Sequence, residues 1–382
     1  MKHNFSERIQ NTLKLSKTQL KHIPKNCEDY FTCSEKNCEN IIGAVSIPMG
    51  IAGPILLKGE HAKGKYVLPL ATSEGCLVAS INRGCKAITQ SGGTNTSVKK
   101  IGITRAPVFR VKNLEESRKF ETWIKENFEL LSKETETTSQ YLELIKTESR
   151  AVGKQVFIKF FFDAKDAMGM NMAVIACDHL VRKVITPQTG IECIALSGNF
   201  CTDKKPAAVN FIQGRGFMVN AEIEIPENIV KEVLKTSPQD ILDVYMSKIV
   251  IGSSLAYSLG YNAHFANVIA ALFAATGQDL AHTVEGAAGI TSVEVTDSNN
   301  LYMSVHLPSI VCGITGGGTS LPKQKESLEI MGLKVDSKNP GKKNLEFAEI
   351  IAGAVLAGEL SLLAALASQD LAKAHSQLRI KK

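Results

Sequence analysis

Several signatures that would place this chain in a familiar class are missing from its 382 residues. No five like charges stand together, so neither an arm that binds nucleic acid nor a polybasic membrane patch is expected. The first ten residues, MKHNFSERIQ, carry no apolar segment of the signal-peptide type. We therefore expect a cytoplasmic protein that binds neither nucleic acid nor a membrane.

Paired cysteines are missing as well. The nine cysteines are an odd number and contain no Cys-x-x-Cys spacing, which argues against a disulfide framework and against a zinc ribbon. Cys27, Cys33 and Cys38 leave one metal site open as an alternative. The expectation is free thiols in a reducing compartment, with no metal.

The common nucleotide-binding and hydrolase motifs are also absent. No G-x-G-x-x-G follows a predicted strand and no G-x-x-x-x-G-K-[ST] occurs, so a nucleotide is not held by either device. G-x-S-x-G and H-E-x-x-H are missing too, which removes the main support for a serine hydrolase or a zinc protease.

What is present is the composition of a globular protein. Apolar residues make up 44% and charged residues 21%, which excludes a disordered or fibrous chain, and the length predicts two to three domains. The net charge of +6 is compatible with a small anionic substrate. The longest apolar stretch, residues 350–367, has Glu359 at its centre, which favours a buried helix over a membrane span.

The pattern along the chain predicts an α+β fold in three parts. Residues 1–38 are polar with a few spaced apolar positions, which is typical of a small helical N-terminal element. Residues 107–196 have the order β-α-β-β-α-β, the ferredoxin-like motif, and lie between glycine-rich stretches as an inserted domain. Residues 39–106 and 197–382 then form one large mixed α/β domain.

Four ionisable residues stand where apolar sequence or a loop makes them candidates for chemistry. Asp279 lies near the end of an apolar stretch, 262–282, that predicts one long helix, and a buried carboxylate there needs a cation or a proton. Lys204 lies in a loop, Glu74 opens a predicted helix, and His375 lies in a basic tail. The plain alternatives stay open: a surface aspartate, a solvated loop, a glutamate favoured by the helix dipole, and an inert tail histidine.

Two further stretches suit a cofactor. The glycines at 316–318 can bring backbone N–H groups against a phosphate at a helix start, with a flexible turn as the alternative. The segment 166–172, DAMGMNM, presents three methionines around a glycine, a soft apolar surface that is more often part of a core.

Taken together, these stretches resemble class I 3-hydroxy-3-methylglutaryl-CoA (HMG-CoA) reductase, the biosynthetic form. The similarity covers nearly the whole chain from Glu39 onward. The resemblance is to the soluble prokaryotic members, for which no membrane-anchor region is expected. The stretches that carry it, in order, are ENIIG (39–43), IPMGIAGP (47–54), ATSEGCLVASINRGC (71–85), DAMGMNM (166–172), SGNFCTDKKPAAVN (197–210), GYNAHFAN (260–267), GQD (277–279), GITGGGT (313–319) and GELSLLAALA (358–367).

The resemblance implies an oxidoreductase that reduces HMG-CoA to mevalonate in two steps, with two NADPH and release of CoA, in isoprenoid biosynthesis. It implies a small helical domain at 1–38, a large HMG-CoA-binding and dimerisation domain at 39–106 and 197–382, and a ferredoxin-like NADP(H)-binding insert at 107–196. It also implies a homodimer or a dimer of dimers whose active sites are shared between subunits.

The resemblance assigns four catalytic residues. The Lys204 ammonium supports the oxyanion as hydride reaches the carbonyl, and Asp279 holds that lysine. Glu74, near Asp279, supplies a proton when mevaldehyde is reduced. His375 protonates the departing CoA thiolate, and a mobile tail suits closure over the site.

The resemblance also assigns binding residues. The substrate residues are Ser80, Arg83, Arg105, Ser197, Asn199, Asp203, Lys205, Lys248, His264 and Asn267, of which Ser80, Arg83 and His264 lie toward CoA. The cofactor residues are Ser139, Gln140, Asp166, Met168, Gly169, Met170, Asn171, Met172, Gly316, Gly317, Gly318 and Thr319.

One position departs from the family pattern. Relatives that use NADPH carry Ser-Arg-Phe ahead of the second strand of the insert, with the arginine near the 2′-phosphate, whereas this chain has Ser139-Gln140-Tyr141. Glutamine cannot neutralise a phosphate, and Lys146 and Lys154 are the candidate substitutes. NADPH is the expected cofactor, with NADH as the alternative.

Three other functions stay open at this stage. The first is an NADH-preferring enzyme that oxidises mevalonate, which Gln140 favours. The second is a non-catalytic protein that binds CoA thioesters, against which the intact set of Glu74, Lys204, Asp279 and His375 argues. The third is a lyase that forms a Schiff base through Lys204, against which the cofactor-like insert argues.

Overall fold

Ten strands build two sheets in the computed structural model, which describes residues 7–11, 23 and 37–368. The predicted N-terminal domain at 1–38 and the tail that contains His375 therefore lie almost wholly outside the described residues. The strands are β1 Met49–Lys58, β2 Lys63–Ala71, β3 Asn95–Arg105, β4 Val108–Arg110, β5 Glu143–Val152, β6 Gln155–Asp163, β7 Glu192–Ala195, β8 Gly216–Ile225, β9 Ile290–Val295 and β10 Leu301–Ile310.

Helices of three hydrogen-bonding types connect these strands. The helices are α1 Leu77–Gln90, α2 Leu114–Glu126, α3 Phe128–Glu136, α4 Met170–His179 with a π-helical continuation Leu180–Ile185 and a last turn Thr186–Thr189, α5 Ala208–Gln213, α6 Glu227–Ile229 continued by Val230–Leu234, α7 Pro238–Val244 continued by Tyr245–Gly252 and Ser253–Leu255, α8 Phe265–Thr276, α9 Thr283–Gly286, α10 Pro322–Ile330 and α11 Lys342–Ala367. Short 3₁₀ turns lie at Leu280–His282 and Gly317–Ser320. The mixed helix and sheet content confirms the predicted α+β class.

Strand β8 is the centre of the larger sheet. It pairs antiparallel with β3 on one side and with β10 on the other, and β10 pairs in turn with β9. Its side chains alternate, with Val219, Ala221, Ile223 and Ile225 buried and the residues between them more exposed, as expected of a strand with one covered face. The helices on that face include α11, which contacts β8, β10 and β3.

The segment between β3 and β8 has its own hydrophobic core and supplies one half of the larger, eight-stranded sheet. Its strands occur in the order β7-β4-β6-β5, with α2 and α3 between β4 and β5 and α4 between β6 and β7. Connectivity and strand order are those of the split βαβ motif. Strand β6 also pairs with β3 over three residues, from Ile103 opposite Phe162 to Arg105 opposite Phe160. This pairing joins the four strands of the segment to β3, β8, β10 and β9 in one sheet. This junction puts the end of β6 beside the large domain.

Helix α11 passes through the core of the large domain. It is long and apolar enough to cross a membrane, but 83% of its most apolar window is buried against protein, so the prediction of a buried helix at 350–367 is confirmed. Glu359 and Glu349 are fully buried within it. Glu359 accepts hydrogen bonds from the N–H groups of Ala263 (2.8 Å) and His264 (2.7 Å), which satisfies backbone donors at the start of α8.

Several predicted elements are wrong in extent. The long helix predicted at 262–282 ends at Thr276, because Gly277 adopts a φ of +71° at its C-terminus. Asp279 therefore does not end a helix; its side chain accepts a bond from the Ala281 N–H and caps the following 3₁₀ turn. Helix α1 begins at Leu77, so Glu74 lies before it. Strands β3 and β8 were not predicted, whereas β2 ends at Ala71, one residue before the predicted strand end at Thr72.

Candidate functional site

A loop after β7 and the turn after α8 meet at a single ion pair. Lys204 Nζ lies 2.7 Å from Asp279 Oδ2, and the two side chains are 41% and 33% exposed, so the pair is open to solvent on one side only. The hydrogen bond to Asp279 raises the pKa of Lys204. Burial opposes ionisation of Asp279, but the bonds from Lys204 and from the Ala281 N–H outweigh it and hold its pKa below the ordinary value. Both groups therefore stay charged at neutral pH.

Other predicted substrate residues surround this pair. Arg105 Nη1 lies 3.7 Å from Asp203 Oδ2, and the Lys205 ammonium donates to the Asp203 carbonyl at 3.1 Å. Ser197 Oγ lies 3.5 Å from the sulfur of the buried Cys201. Three residues of this loop adopt positive φ without being glycine: Asn199 at 61°, Thr202 at 55° and Lys204 at 56°. The loop is thus held in an uncommon conformation that turns the lysine toward Asp279.

Glu74 lies in an adjoining groove rather than against Asp279. Its Oε1 accepts from Asn267 Nδ2 at 3.2 Å, so two predicted residues are brought together. The groove is also lined by Leu280 and Thr283, which follow Asp279 in the chain. The described contacts therefore put Glu74 near the Asp279 segment without a direct bond between the two carboxyl groups.

Of the residues predicted to lie toward CoA, Ser80 and Arg83 lie on α1 and contact α11, and His264 lies at the start of α8. Ser80 Oγ bonds Ser361 Oγ at 3.0 Å, and Arg83 donates to Ser361 Oγ (3.0 Å) and to its carbonyl (2.6 Å). His264 begins α8, and its Nε2 is buried without a hydrogen-bond partner in the described part of the chain. The Arg83 guanidinium thus ties two core helices together in this structure.

Lys248 is not brought to this cluster within the described chain. It lies on the exposed face of the π-helical stretch Tyr245–Gly252, which packs against α7 and β9.

The two predicted cofactor segments lie side by side. Ala167 and Thr315 form a parallel bridge, and the Ile314 N–H donates to the Asp166 carbonyl at 2.8 Å. A Cβ at Gly313 would lie 2.3 Å from the Met168 nitrogen, so the contact requires glycine. The segment Asp166–Met172 and the loop Gly316–Thr319 therefore face one region, although the glycines begin a 3₁₀ turn and not the predicted helix start.

The same region has features that fit a bound nucleotide. Asp166 is 5% exposed, and its Oδ1 has no hydrogen-bond partner among the described residues. Burial raises the pKa of this carboxyl, which a hydroxyl donor would reverse. Gly316 and Gly317 have positive φ and nothing within 4 Å of a built Cβ, so their backbone is open to a ligand.

Gln278 joins the turn that carries Asp279 to the glycine loop. Its amide nitrogen donates to the Gly313 carbonyl at 2.8 Å, and its amide oxygen accepts from the Gly313 N–H at 2.9 Å. Because Gln278 precedes Asp279 in the chain, one side-chain amide fixes both segments relative to each other.

Gln140, the position that departs from the family pattern, lies at one end of the β5–β6 hairpin. Gln140 is exposed just before β5, at the end of that strand that pairs with Asp163. Lys154 lies in the turn at the far end of the β5–β6 hairpin, about 30 Å away for a ten-residue strand, so it cannot replace an arginine at position 140. Lys146 lies nearer, but its ammonium is 2.5 Å from Glu148 Oε1.

Three residues of this site were missed in the sequence: Arg215, His282 and Glu285. All three are fully buried next to Asp203 and Asp279. The available signal was charge in glycine- and alanine-rich sequence, which by itself does not indicate a partner.

Comparison with known proteins finds similarity over nearly the whole chain. The family model described as hydroxymethylglutaryl-coenzyme A reductase matches residues 4–380. A protein named 3-hydroxy-3-methylglutaryl-coenzyme A reductase from Methanothermobacter thermautotrophicus is 48% identical over 361 residues, 94% of this chain and 89% of its own length. One of the same name from Pyrococcus horikoshii is also 48% identical, over 94% of this chain and 87% of its own length.

A solved structure shares the fold. It is the class II 3-hydroxy-3-methylglutaryl-CoA reductase from Streptococcus pneumoniae bound to NADPH in open conformations, with a TM-score of 0.67 and 18% sequence identity. The match covers 94% of this chain and 92% of that one.

Proposed function

Because this chain belongs to the hydroxymethylglutaryl-coenzyme A reductase family, we propose that it reduces 3-hydroxy-3-methylglutaryl-CoA to mevalonate at the Lys204–Asp279 pair. The observation that carries the proposal is the 2.7 Å contact between these two side chains in a half-open site beside the paired segments 166–172 and 313–319. The nicotinamide cofactor, when bound, supplies the hydride for each of the two reductions.

Lys204 has the charge that the first reduction needs. An ammonium group fixed by a carboxylate is a preorganised donor for the oxyanion that develops on the thioester carbonyl. Asp279 keeps the ammonium protonated and oriented, and the open side of the pair leaves room for the acyl group. Arg105 and Lys205 add positive charge beside Asp203 for the substrate carboxylate.

Two groups are proposed as proton donors. Glu74, held by Asn267, serves the aldehyde reduction, and His375, outside the described residues, serves the CoA thiolate. The other predicted substrate residues, Ser197 and Asn199, line the same loop as Lys204.

The proposed cofactor is NADPH, and the proposed class is class I. The 48% identity to archaeal relatives, against 18% to the class II structure, supports a class different from that structure.

The charges near Gln140 favour NADH as the second candidate, in an enzyme that oxidises mevalonate. Lys165, the cation at that end of β5, is 2.7 Å from Glu143 and 2.8 Å from Asp163, so it is already neutralised.

Gln140→Arg tests this assignment. A new charge-assisted bond to the 2′-phosphate is worth about 1.5–3 kcal/mol, so the ratio of kcat/KM for NADPH to that for NADH should rise about 10- to 100-fold. Initial rates with each cofactor measure it. Gln155→Arg, at the opposite end of the hairpin, is the matched control and should leave the ratio unchanged. An unchanged ratio in Gln140→Arg would remove residue 140 from cofactor selection.

A shared dimer is proposed for the assembly. Ile251, Leu255 and Tyr257 are 56%, 79% and 94% exposed on one continuous stretch, an apolar surface that suits a second copy of the chain. Lys248 lies on this same stretch, so in a dimer it would reach the partner's site. Sedimentation of the purified protein distinguishes a dimer from a dimer of dimers. The proposed compartment is the cytoplasm.

The function itself is tested by absorbance at the nicotinamide band. Purified protein with HMG-CoA should consume two cofactors for each CoA released; no consumption of NADPH or NADH by folded protein would favour the binding-protein alternative. His375→Ala should slow this full reaction and spare the reduction of added mevaldehyde. Equal losses on both substrates would contradict its role as the acid for the thiolate.

A further inference from the structure

A buried arginine lies directly behind the Lys204–Asp279 pair. Arg215 is 0% exposed, and its guanidinium bonds Glu285 Oε1 at 2.6 Å and Asp203 Oδ1 at 2.9 Å. Its Nε donates to Thr104 Oγ1 at 2.9 Å. A buried guanidinium is stable only when its charge and its donors are satisfied, and here two carboxylates from different segments do so.

Glu285 connects this arginine to the catalytic lysine. Besides Arg215, its Oε1 accepts from the backbone N–H of Lys204 at 3.3 Å, and His282 Nδ1 lies 2.8 Å from it. Glu285 Oε1 is therefore the common partner of the Arg215 guanidinium, the Lys204 backbone and the His282 ring.

The second nitrogen of His282 also faces carboxylates. His282 is fully buried; its Nε2 lies 3.8 Å from Asp279 Oδ2 and 4.0 Å from Asp203 Oδ1, and has no closer partner among the described residues. A bare lone pair aimed at two carboxylates is repelled, whereas an N–H is attracted. Each ring nitrogen thus faces carboxylate oxygens, Nδ1 that of Glu285 and Nε2 those of Asp203 and Asp279.

We propose that Arg215, Glu285 and His282 form a buried positioning unit for the reduction, with His282 held as an imidazolium ion. The proposal rests on the proposed function. Asp203, Asp279 and Glu285 balance the charges of Arg105, Lys204 and Arg215, so the imidazolium leaves the cluster with one net positive charge. That charge lies next to the ammonium that stabilises the oxyanion developing on the substrate carbonyl, and the unit fixes Asp279 and the Lys204 backbone.

A metal ion is the competing occupant. Ligand atoms of Asp203, His282 and Glu285 lie within 4.8 Å of one another, which suits a divalent cation by type. The Arg215 guanidinium already bonds both carboxylates, so it supplies the cation of this cluster. Added Zn²⁺ or Mg²⁺ should therefore neither bind there nor raise the rate.

His282→Gln tests the unit, since glutamine keeps a polar group of similar reach but cannot carry the charge. The expected result is a fall in kcat of about 10- to 100-fold, the range seen where an outer partner that orients a functional group is removed, with KM for HMG-CoA nearly unchanged. Asp279 loses a neighbouring cation, so its pKa should rise and the acid limb of the pH–rate profile should move to higher pH. The groups that face the imidazole are Asp203, Asp279 and Glu285. Their cationic partners are Lys204 and Arg215, and all five residues remain in the variant.

His306→Gln is the matched control, because His306 bonds Asn220 on the large sheet away from this cluster. It should change neither kcat nor the pH profile. An unchanged kcat and profile in a folded His282→Gln variant would overturn the proposal.

A second measurement does not depend on turnover or on the variant's folding. In ¹⁵N-histidine-labelled wild-type protein, the His282 signals should report protons on both ring nitrogens across about pH 6 to 8, where free imidazole loses one. A neutral His282 in that range would overturn the proposal even in an active enzyme. If the protein fails to reduce HMG-CoA but His282 is doubly protonated, the proposed function fails and the charged cluster stands.

Discussion

Lys204→Ala should abolish turnover of HMG-CoA while the protein stays folded. Removal of one preorganised donor to an oxyanion costs about 10²- to 10³-fold in kcat, and here the donor also carries the charge. The pair is partly exposed, so its loss should change the free energy of unfolding by no more than about 1 kcal/mol. Steady-state rates and urea unfolding measure the two quantities separately.

Lys204→Ala should also raise the pH at which Asp279 takes up a proton. In the wild-type chain the pKa of Asp279 is lowered despite burial, so the carboxylate persists as the pH falls below the ordinary range for aspartate. Without Lys204 the burial that opposes ionisation is no longer offset by its main partner, and Asp279 should take up a proton at a higher pH.

Lys119→Ala is the matched control for Lys204→Ala. Lys119 also makes a 2.7 Å ion pair, with Glu115, but on the exposed face of α2. It should leave kcat unchanged. A near-normal rate for Lys204→Ala would instead remove this lysine from the mechanism, and equal losses in both variants would point to a general effect of charge.

Gly84→Ala should cause the largest loss of stability among single-methyl changes. Helix α1 crosses α11 at Gly84, where a Cβ would lie 1.9 Å from the Ala357 carbonyl oxygen. That oxygen belongs to the backbone of Ala357, which is fully buried, so relief requires the helices to separate. We expect a cost of about 3 kcal/mol, the upper part of the range for overpacked cores, measured by urea unfolding.

Gly252→Ala separates this clash from the general effect of replacing glycine in a helix. Its φ is −63° and its nearest neighbour, the Ser247 carbonyl oxygen, lies 3.4 Å from a built Cβ. Alanine there should be neutral or stabilising by up to about 1 kcal/mol. Equal stabilities for the two variants would mean that α1 and α11 have freedom to move apart.

The sequence predicted best where the signal is local. Residues 107–196 alternate between strand and helix patterns over short distances, and β4, β5, β6, α4 and β7 occur close to their predicted places. The apolar run after His264 gives way to Gly277, Gln278 and Asp279, and the glycine, which adopts a positive φ, ends α8 at Thr276. Strand β8 shows that some signal was overlooked, since Phe217 to Ile225 alternates as a half-buried strand should.

The site depended on contacts that no local pattern contains. Lys204 and Asp279 are 75 positions apart, and only the resemblance to a family paired them before the 2.7 Å contact was seen. Arg215 was missed because a lone arginine between two glycines indicates nothing about its partners. Its partners are Asp203, in a loop that precedes it in the chain, and Glu285, in helix α9 about 70 residues after it. Only the three-dimensional structure shows that these residues meet.

The two hydrogen bonds between the Gln278 amide and Gly313 have a mechanical consequence. The turn that carries Asp279 and the loop proposed to bind the cofactor are joined by one side chain, so a displacement of either segment is carried to the other without a hinge between them. The distance between the Lys204–Asp279 pair and the proposed cofactor loop is thereby fixed through the Gly313 backbone.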